Sequence, residues 1–226
     1  MKANVIHRMN KKSIASNIDH TLLTPNATVE EIHQLCQEAI VHGFAAVCIP
    51  PYFVKEAVKL LENHRIKVAT VIGFPMGYSA TPAKVEEVKR AIDEGVDEID
   101  VVINLCAVKQ GNWNYVRNDI DSMTRAAHLR GRIIKVIFEM ELLNDEEIAK
   151  LCVICNETDV NFVKTSTGLN GGAATVEMVQ QLKSLTKNDI RIKASAGIRT
   201  YEDAQQLIDA GASRLGTSAG TKIIST

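Results

Sequence analysis

The 226-residue sequence lacks any long apolar run. No stretch approaches the roughly 18 apolar residues that a membrane-spanning helix needs. Met1-Lys2-Ala3-Asn4-Val5 opens without the apolar core of a signal peptide. An excess of one charge is also missing. With 26 Lys+Arg against 27 Asp+Glu the net charge is -1 at pH 7, so no basic field draws the protein onto nucleic acid. The five cysteines are an odd number without disulfide-like spacing. Together with the missing leader they imply a reduced, cytoplasmic protein. Cys152 and Cys155 form a C-x-x-C, but they share one helical face with Ile148 and Leu151 and read as buried helix cysteines. The six histidines are scattered, only His20 lies near a strand end, and there is no H-E-x-x-H, so no metal is expected. A G-x-S-x-G nucleophile elbow is absent as well.

What remains is a soluble composition, 46 % apolar and 23 % charged, in a chain long enough for one domain, 1–226, with a full core. Residues 5–15 give a weak signal for a leading helix. The first strand is expected from Ile14 to Asp19. Further near-continuous apolar strands are expected at Phe44–Ile49, Ile66–Ile72, Glu98–Asn104, Ile133–Phe138 and Val160–Val163 with Lys164 at its end, then around Lys193, and at Ser213–Gly216. Helical periodicity fills each gap. Thr28-x-x-Glu31, Asn144-x-x-Glu147 and Thr200-x-x-Asp203 are N-terminal capping patterns, and Thr81-Pro82 reads as N-cap and first helical residue. The last ten residues suffice for a stub helix. Eight βα units with strands apolar on both faces predict an α/β fold, a (β/α)8 TIM barrel with a short N-terminal helix and a truncated last helix. The alternative, an open doubly wound sheet, usually has fewer strands, and no G-x-G-x-x-G follows the first strand here.

Lys164 is the residue around which the rest is organised. A lysine ending a buried strand is costly unless it has a partner or a task. Burial and a nearby cation favour its neutral amine, the form that attacks a carbonyl. Lys193, on the next strand, is the candidate cation. Other polar residues also fall within strands or at their C-terminal ends, where a barrel carries its site: Asp19, Cys48, Asp100, Asn104, Lys135 and Glu139. Period-two alternation sets Asp100 with Asn104 on one face, and Lys135 with Glu139 on another strand. A structural ion-pair layer accounts for Lys135 and Glu139 equally well. Two lysines on adjacent strands do not stabilise each other, so Lys164, Lys193 and Asp100 favour a Schiff-base lysine, a cation that lowers its pKa and a carboxylate that moves protons. Glycines gather after strands six, seven and eight, at Gly168-Leu169-Asn170-Gly171-Gly172, Gly197 and Gly216-Thr217-Ser218. Loops there, with a short helix N-terminus, form the usual phosphate site of this fold; the alternative is tight turns alone. Ser195 has no adjacent base and reads as a turn hydroxyl.

The stretches Ile18-Asp19-His20-Thr21-Leu22-Leu23, Ala46-Val47-Cys48-Ile49-Pro50, Val71-Ile72-Gly73-Phe74-Pro75, Asp97 to Asn104, Phe162 to Gly168, Ile192-Lys193-Ala194-Ser195 and Leu215-Gly216-Thr217-Ser218 resemble the deoxyribose-phosphate aldolase family, in order and spacing, over nearly the whole chain. The resemblance implies a class I aldolase without cofactor or metal. Such an enzyme cleaves 2-deoxy-D-ribose 5-phosphate reversibly to acetaldehyde and D-glyceraldehyde 3-phosphate. Its partners would be a small sugar phosphate and aldehydes, not nucleic acid or membrane, and it would form a homo-oligomer, in first place a dimer. By the same resemblance Lys164 is the Schiff-base lysine, Lys193 depresses its pKa, and Asp100 joins the relay. Gly168, Gly197, Gly216 and Ser218 are phosphate-loop positions, and Cys48, Asp19, Thr21 and Lys135 are pocket positions. Other Schiff-base aldolases or transaldolases, and a sugar-phosphate-binding barrel without turnover, are the alternatives. The chain departs from the family pattern at Ala196, commonly glycine, at Ala219, commonly serine, at Leu169-Asn170 and at Glu141. A Cβ at Ala196 is expected to obstruct backbone approach to phosphate or to resist a positive φ.

Overall fold

Eight parallel strands join in chain order and close, the first pairing with the last, in the computed structural model, which describes residues 11–225. After α1 (Lys11–Ala15) come β1 (Ile18–Thr21), α2 (Val29–His42), β2 (Ala46–Ile49), α3 (Val54–Leu61), β3 (Lys67–Ile72) and α4 (Thr81–Asp93). Then follow β4 (Glu98–Val102), α5 (Leu105–Lys109), α6 (Trp113–His128), β5 (Ile133–Ile137) and α7 (Asp145–Glu157). The chain ends with β6 (Phe162–Lys164), α8 (Val176–Leu185), β7 (Arg191–Ser195), α9 (Tyr201–Asp209), β8 (Arg214–Thr217) and α10 (Gly220–Ser225). This is the (β/α)8 barrel that the alternation predicts, and the open sheet is excluded by closure. No helix among the described residues is long and apolar enough to cross a membrane.

The helices begin where the sequence supplies caps. Thr28 with Glu31, Asn144 with Glu147 and Thr200 with Asp203 form reciprocal capping boxes, satisfying N–H groups that the first turn leaves without partners. Apolar side chains on both faces of the strands then divide the interior. Val47, Ile49, Val101, Ile134, Val136, Val163 and Ile192 point outward into the layer shared with the helices. Inside the barrel, Ala46, Cys48, Ala69 and Val71 form a separate small apolar cluster on β2 and β3. The remaining staves fill the lumen with charge. Cys152 and Cys155 are buried unpaired thiols in α7, and burial pushes Cys152 up to about 12.

Several expected boundaries move. Ile14 belongs to α1 rather than to the first strand, its side chain fully buried in the outer layer, and β1 begins at Ile18. Residues 5–10 of the expected leading helix lie outside the described residues. Asn104 does not extend β4. Its side chain accepts from Ala107 N at 3.0 Å and caps α5, a helix the periodicity does not announce. Thr81 is the first residue of α4, not its cap, because its hydroxyl donates to Asp119 at 2.7 Å. The same carboxylate accepts from the fully buried Lys84 at 2.5 Å. Lys84 also donates to the carbonyls of Gly77 at 3.0 Å and Val102 at 3.1 Å, tying the loop after β3 to the end of β4.

A buried ion pair that loses one member leaves an uncompensated charge. Lys84→Met is therefore expected to cost about 3–5 kcal/mol in urea unfolding. Lys84→Met combined with Asp119→Leu should recover much of that loss, because no orphaned charge remains.

Candidate active site

Lys164 is the last residue of β6, and its neighbour in register on β7 is Lys193. Both ammonium groups converge on one acceptor. Asp100 Oδ2 accepts from Lys164 at 2.9 Å and from Lys193 at 2.7 Å, while Oδ1 accepts from Lys135 at 2.7 Å. The strand pleat explains the convergence. Asp100 pairs in register with Lys135, and both side chains project into the lumen together with those of Lys164 and Lys193.

A second tier lies beside the first. Lys193 Nζ is 2.5 Å from Asp19 Oδ2, and Lys135 Nζ is 2.7 Å from Glu98 Oε2. Arg214 closes the network. It donates to Asp19 Oδ1 through Nε at 2.6 Å, and to both oxygens of Glu98 through Nη1 at 3.0 Å and Nη2 at 2.9 Å. Fork-on-carboxylate geometry of this kind is suited to arginine and not to lysine.

The electrostatics separate Lys164 from its neighbours. Burial lowers its pKa, and the charge of Lys193 adds to that effect, against the pull of Asp100; the sum lies below the ordinary lysine value. For Lys193 burial also acts downward, but Asp100 and Asp19 outweigh it and hold the group above its ordinary value. Lys135 is likewise held up by Asp100 and Glu98 against burial. Asp100, though buried, is held well below the usual carboxylate range by its three lysines. Lys164 is thus the lysine of this cluster that most readily gives up its proton.

Above Lys164 opens a cavity of about 360 Å³, lined in part by Thr21, Gly168, Gly197, Gly216 and Ser218. The loops after β6, β7 and β8 therefore do meet at one mouth. Asp19, Cys48, Asp100, Lys135 and Lys193 do not line it. They are fully buried, with Asp100 in contact with Lys164. Gly216 also meets a packing need. A Cβ there would stand 2.2 Å from Ser195 Oγ and 3.1 Å from Lys193 Cε, so the missing side chain makes room for the Lys193 stem. His20 points away, its Nε2 2.7 Å from Glu38 on α2.

Sequence reasoning took Ser195 for a turn hydroxyl and passed over Arg199. Both line the cavity, and Ser195 Oγ is buried with no hydrogen-bond partner among the described residues. Glu139 is better resolved as a brace than as a lumen charge. It stands at φ 56°, and its carboxylate accepts from Thr167 N at 2.9 Å, from Thr167 Oγ1 at 2.5 Å and from Asn170 Nδ2 at 2.6 Å. It holds the loop that carries Gly168. Glu141 accepts from Ser166 Oγ at 2.6 Å in the same loop. Ala196 does take up the positive φ that a Cβ resists, 84°, and its carbonyl accepts from Ala174 N at 3.0 Å.

A family model described as DeoC/LacD family aldolase matches residues 13–226. A deoxyribose-phosphate aldolase of Thermococcus kodakarensis is 50 % identical over 218 residues, covering 96 % of this chain and 97 % of that protein. One of Caldanaerobacter subterraneus is 47 % identical over 213 residues, covering 94 % and 92 %. Among solved structures, the tetrameric deoxyribose phosphate aldolase of Aeropyrum pernix superposes with a TM-score of 0.91 at 31 % identity, covering 100 % of this chain and 97 % of that one.

The left-handed conformation costs a non-glycine residue about 1–2 kcal/mol, whereas glycine adds about 0.4–1 kcal/mol of unfolded-state entropy. Ala196→Gly is accordingly expected to gain up to about 1 kcal/mol in urea unfolding. A loss of stability would show that the strain is relieved elsewhere.

Proposed function

Because this chain belongs to the DeoC/LacD family of aldolases, we propose that it cleaves 2-deoxy-D-ribose 5-phosphate reversibly to acetaldehyde and D-glyceraldehyde 3-phosphate, through a Schiff base on Lys164. One observation carries the assignment of the lysine. Lys164 alone of the three clustered lysines lines the cavity, and it alone has its pKa lowered.

The neutral Lys164 amine adds to the C1 aldehyde of the open-chain sugar, and loss of water gives the iminium. This is the electron sink. When the C3 hydroxyl gives up its proton, the C2–C3 bond breaks, its electron pair moves into the iminium, and glyceraldehyde 3-phosphate leaves. The enamine that stays behind is protonated at C2, and water releases acetaldehyde. Proton movement needs a group within hydrogen-bond reach of the nitrogen. Asp100 is bonded to both Lys164 and Lys193. Its carboxylate has little affinity for a proton of its own, which suits it to conduct between Lys193, water and substrate rather than to store one.

The loops at Gly168, Gly197 and Ser218 would hold the phosphate and fix the aldehyde in reacting geometry. Ser195 and the exposed Arg199 offer further donors at the same cavity. A second reading, an aldolase for an unphosphorylated aldehyde, is favoured by Ala196, which lines the cavity at a position where a glycine is common in the family.

Borohydride reduction in the presence of acetaldehyde should add a two-carbon group to Lys164, read by peptide mass spectrometry; an adduct at another lysine would sink the assignment. Lys193→Leu removes a cation beside Lys164, so the acid limb of the kcat/KM profile should move to higher pH and the neutral-pH rate should fall at least about tenfold. Comparable kcat/KM for 2-deoxyribose with and without its 5-phosphate would select the second reading.

A further inference from the structure

The barrel lumen holds three carboxylates, Asp19, Glu98 and Asp100, and four cationic side chains, Lys135, Lys164, Lys193 and Arg214. They form one connected network. Its charges cancel only when one of the four cations is neutral. Arg214 cannot be that one, because a guanidinium keeps its proton in proteins.

We propose that Arg214 is a positioning residue for the aldol chemistry: by supplying the third permanent positive charge to the three lumen carboxylates, it leaves Lys164 as the cation that must be neutral. This rests on the reading of Lys164 as the Schiff-base lysine. Arg214 does not act by contact. Its charge reaches Lys164 along the chain Arg214–Asp19–Lys193–Asp100–Lys164, whose last three links measure 2.5, 2.7 and 2.9 Å. By engaging Glu98 through two hydrogen bonds and Asp19 through Nε, Arg214 takes up carboxylate charge that would otherwise fall to the lysines. In a lumen from which water is excluded, an unmatched charge is expensive, so the count of charges decides which group ionises.

The groups that face Lys164 come from the other staves. Asp19 stands on β1, Glu98 and Asp100 on β4, Lys135 on β5, Lys193 on β7 and Arg214 on β8. β2 contributes Cys48, whose thiol burial keeps neutral by raising its pKa, and β3 contributes Ala69 and Val71. Beyond the staves, Glu139 is turned into the loop after β6 and bonded to Thr167 and Asn170, and Glu141 is bonded to Ser166. Arg191, at the start of β7, is exposed and packs on the Phe162 ring at 4.1 Å, a constant charge at the far end. The directions of the individual pKa values agree with the count. All three carboxylates lie below their ordinary values and Lys135, Lys193 and Arg214 above theirs, while Lys164 alone among the four network cations lies below; Arg191, outside the network, is lowered by burial and by Arg214.

The test follows the pH dependence of the borohydride-trapped acetaldehyde adduct at Lys164 in four variants of the full chain. In Arg214→Met three carboxylates face two other cations, so Lys164 should stay protonated; trapping at neutral pH should fall about tenfold or more, with the limb displaced upward by about one pH unit or more. Arg214→Lys replaces the permanent charge by one that can lose its proton, so the neutral role is shared and the limb should move upward by less than in Arg214→Met. Glu98→Gln removes a carboxylate and should move the limb to lower pH. Combining Arg214→Met with Glu98→Gln restores the balance, and the limb should return to within about threefold of wild type. A purely structural role instead lowers the plateau without moving the limb, and makes the double variant no better than Arg214→Met; either result overturns the proposal. If Arg214→Met fails to fold, an unmoved limb in Glu98→Gln does the same. Wild-type protein that gives no Lys164 adduct overturns the Schiff-base reading itself, whereas a wild-type adduct with unmoved limbs overturns only the role of Arg214.

Discussion

The sharing of Asp100 among three lysines is the interaction on which the rest of the lumen depends. One fully buried carboxylate accepts from β5, β6 and β7 at once. A lone carboxylate in an apolar barrel would be protonated. Three ammonium groups around a single carboxylate would repel one another. Neither arrangement is stable alone, and the second tier of Asp19, Glu98 and Arg214 resolves both by taking up the surplus charge. The network stitches β1, β4, β5, β6, β7 and β8 across the lumen, in the half of the barrel that the apolar cluster on β2 and β3 leaves unfilled.

That division also gives the barrel a chemical direction. A small apolar wall of Ala46, Cys48, Ala69 and Val71 faces the charged wall, and Lys164 stands at the rim of the charged one, where the lumen meets the cavity. The β6–α8 loop is fixed from below by the carboxylate of Glu139 and carries the glycine that borders the mouth. Reactive group and loop are thus held by separate devices, an ion-pair lattice for the first and the hydrogen bonds of one carboxylate for the second.

Much of this was legible in the sequence, and the reasons are physical. Apolar runs separated by capped helical periods suffice to announce a barrel, since closed parallel strands have no solvent-facing side to record. Polar residues inside those runs announce the lumen, because nothing else tolerates them there. What stayed hidden were features decided by partners distant along the chain. Ile14 reads as strand because an apolar residue near Ile18 fits either element; only packing makes it helical. Thr81 reads as a cap until Asp119 claims its hydroxyl. Asn104 looks like a lumen residue by alternation until Ala107 N claims its side chain. Arg214, opening β8, carries no local sign that it will pair with Asp19, 195 residues away.

Gly216 has one further consequence. No left-handed backbone is involved there, so the position tolerates no side chain for reasons of volume alone. The space it leaves is taken by the neighbouring stave, by the Ser195 side chain and Lys193 Cε. Positions 195 and 216 therefore draw on one shared volume: a side chain added at 216 has to be met by shrinkage at 195, and it also presses on the Lys193 stem. Two adjacent strands are in this respect a single packing unit, and a change at 216 on β8 is felt first at the Ser195 hydroxyl of β7 and next at the Lys193 stem.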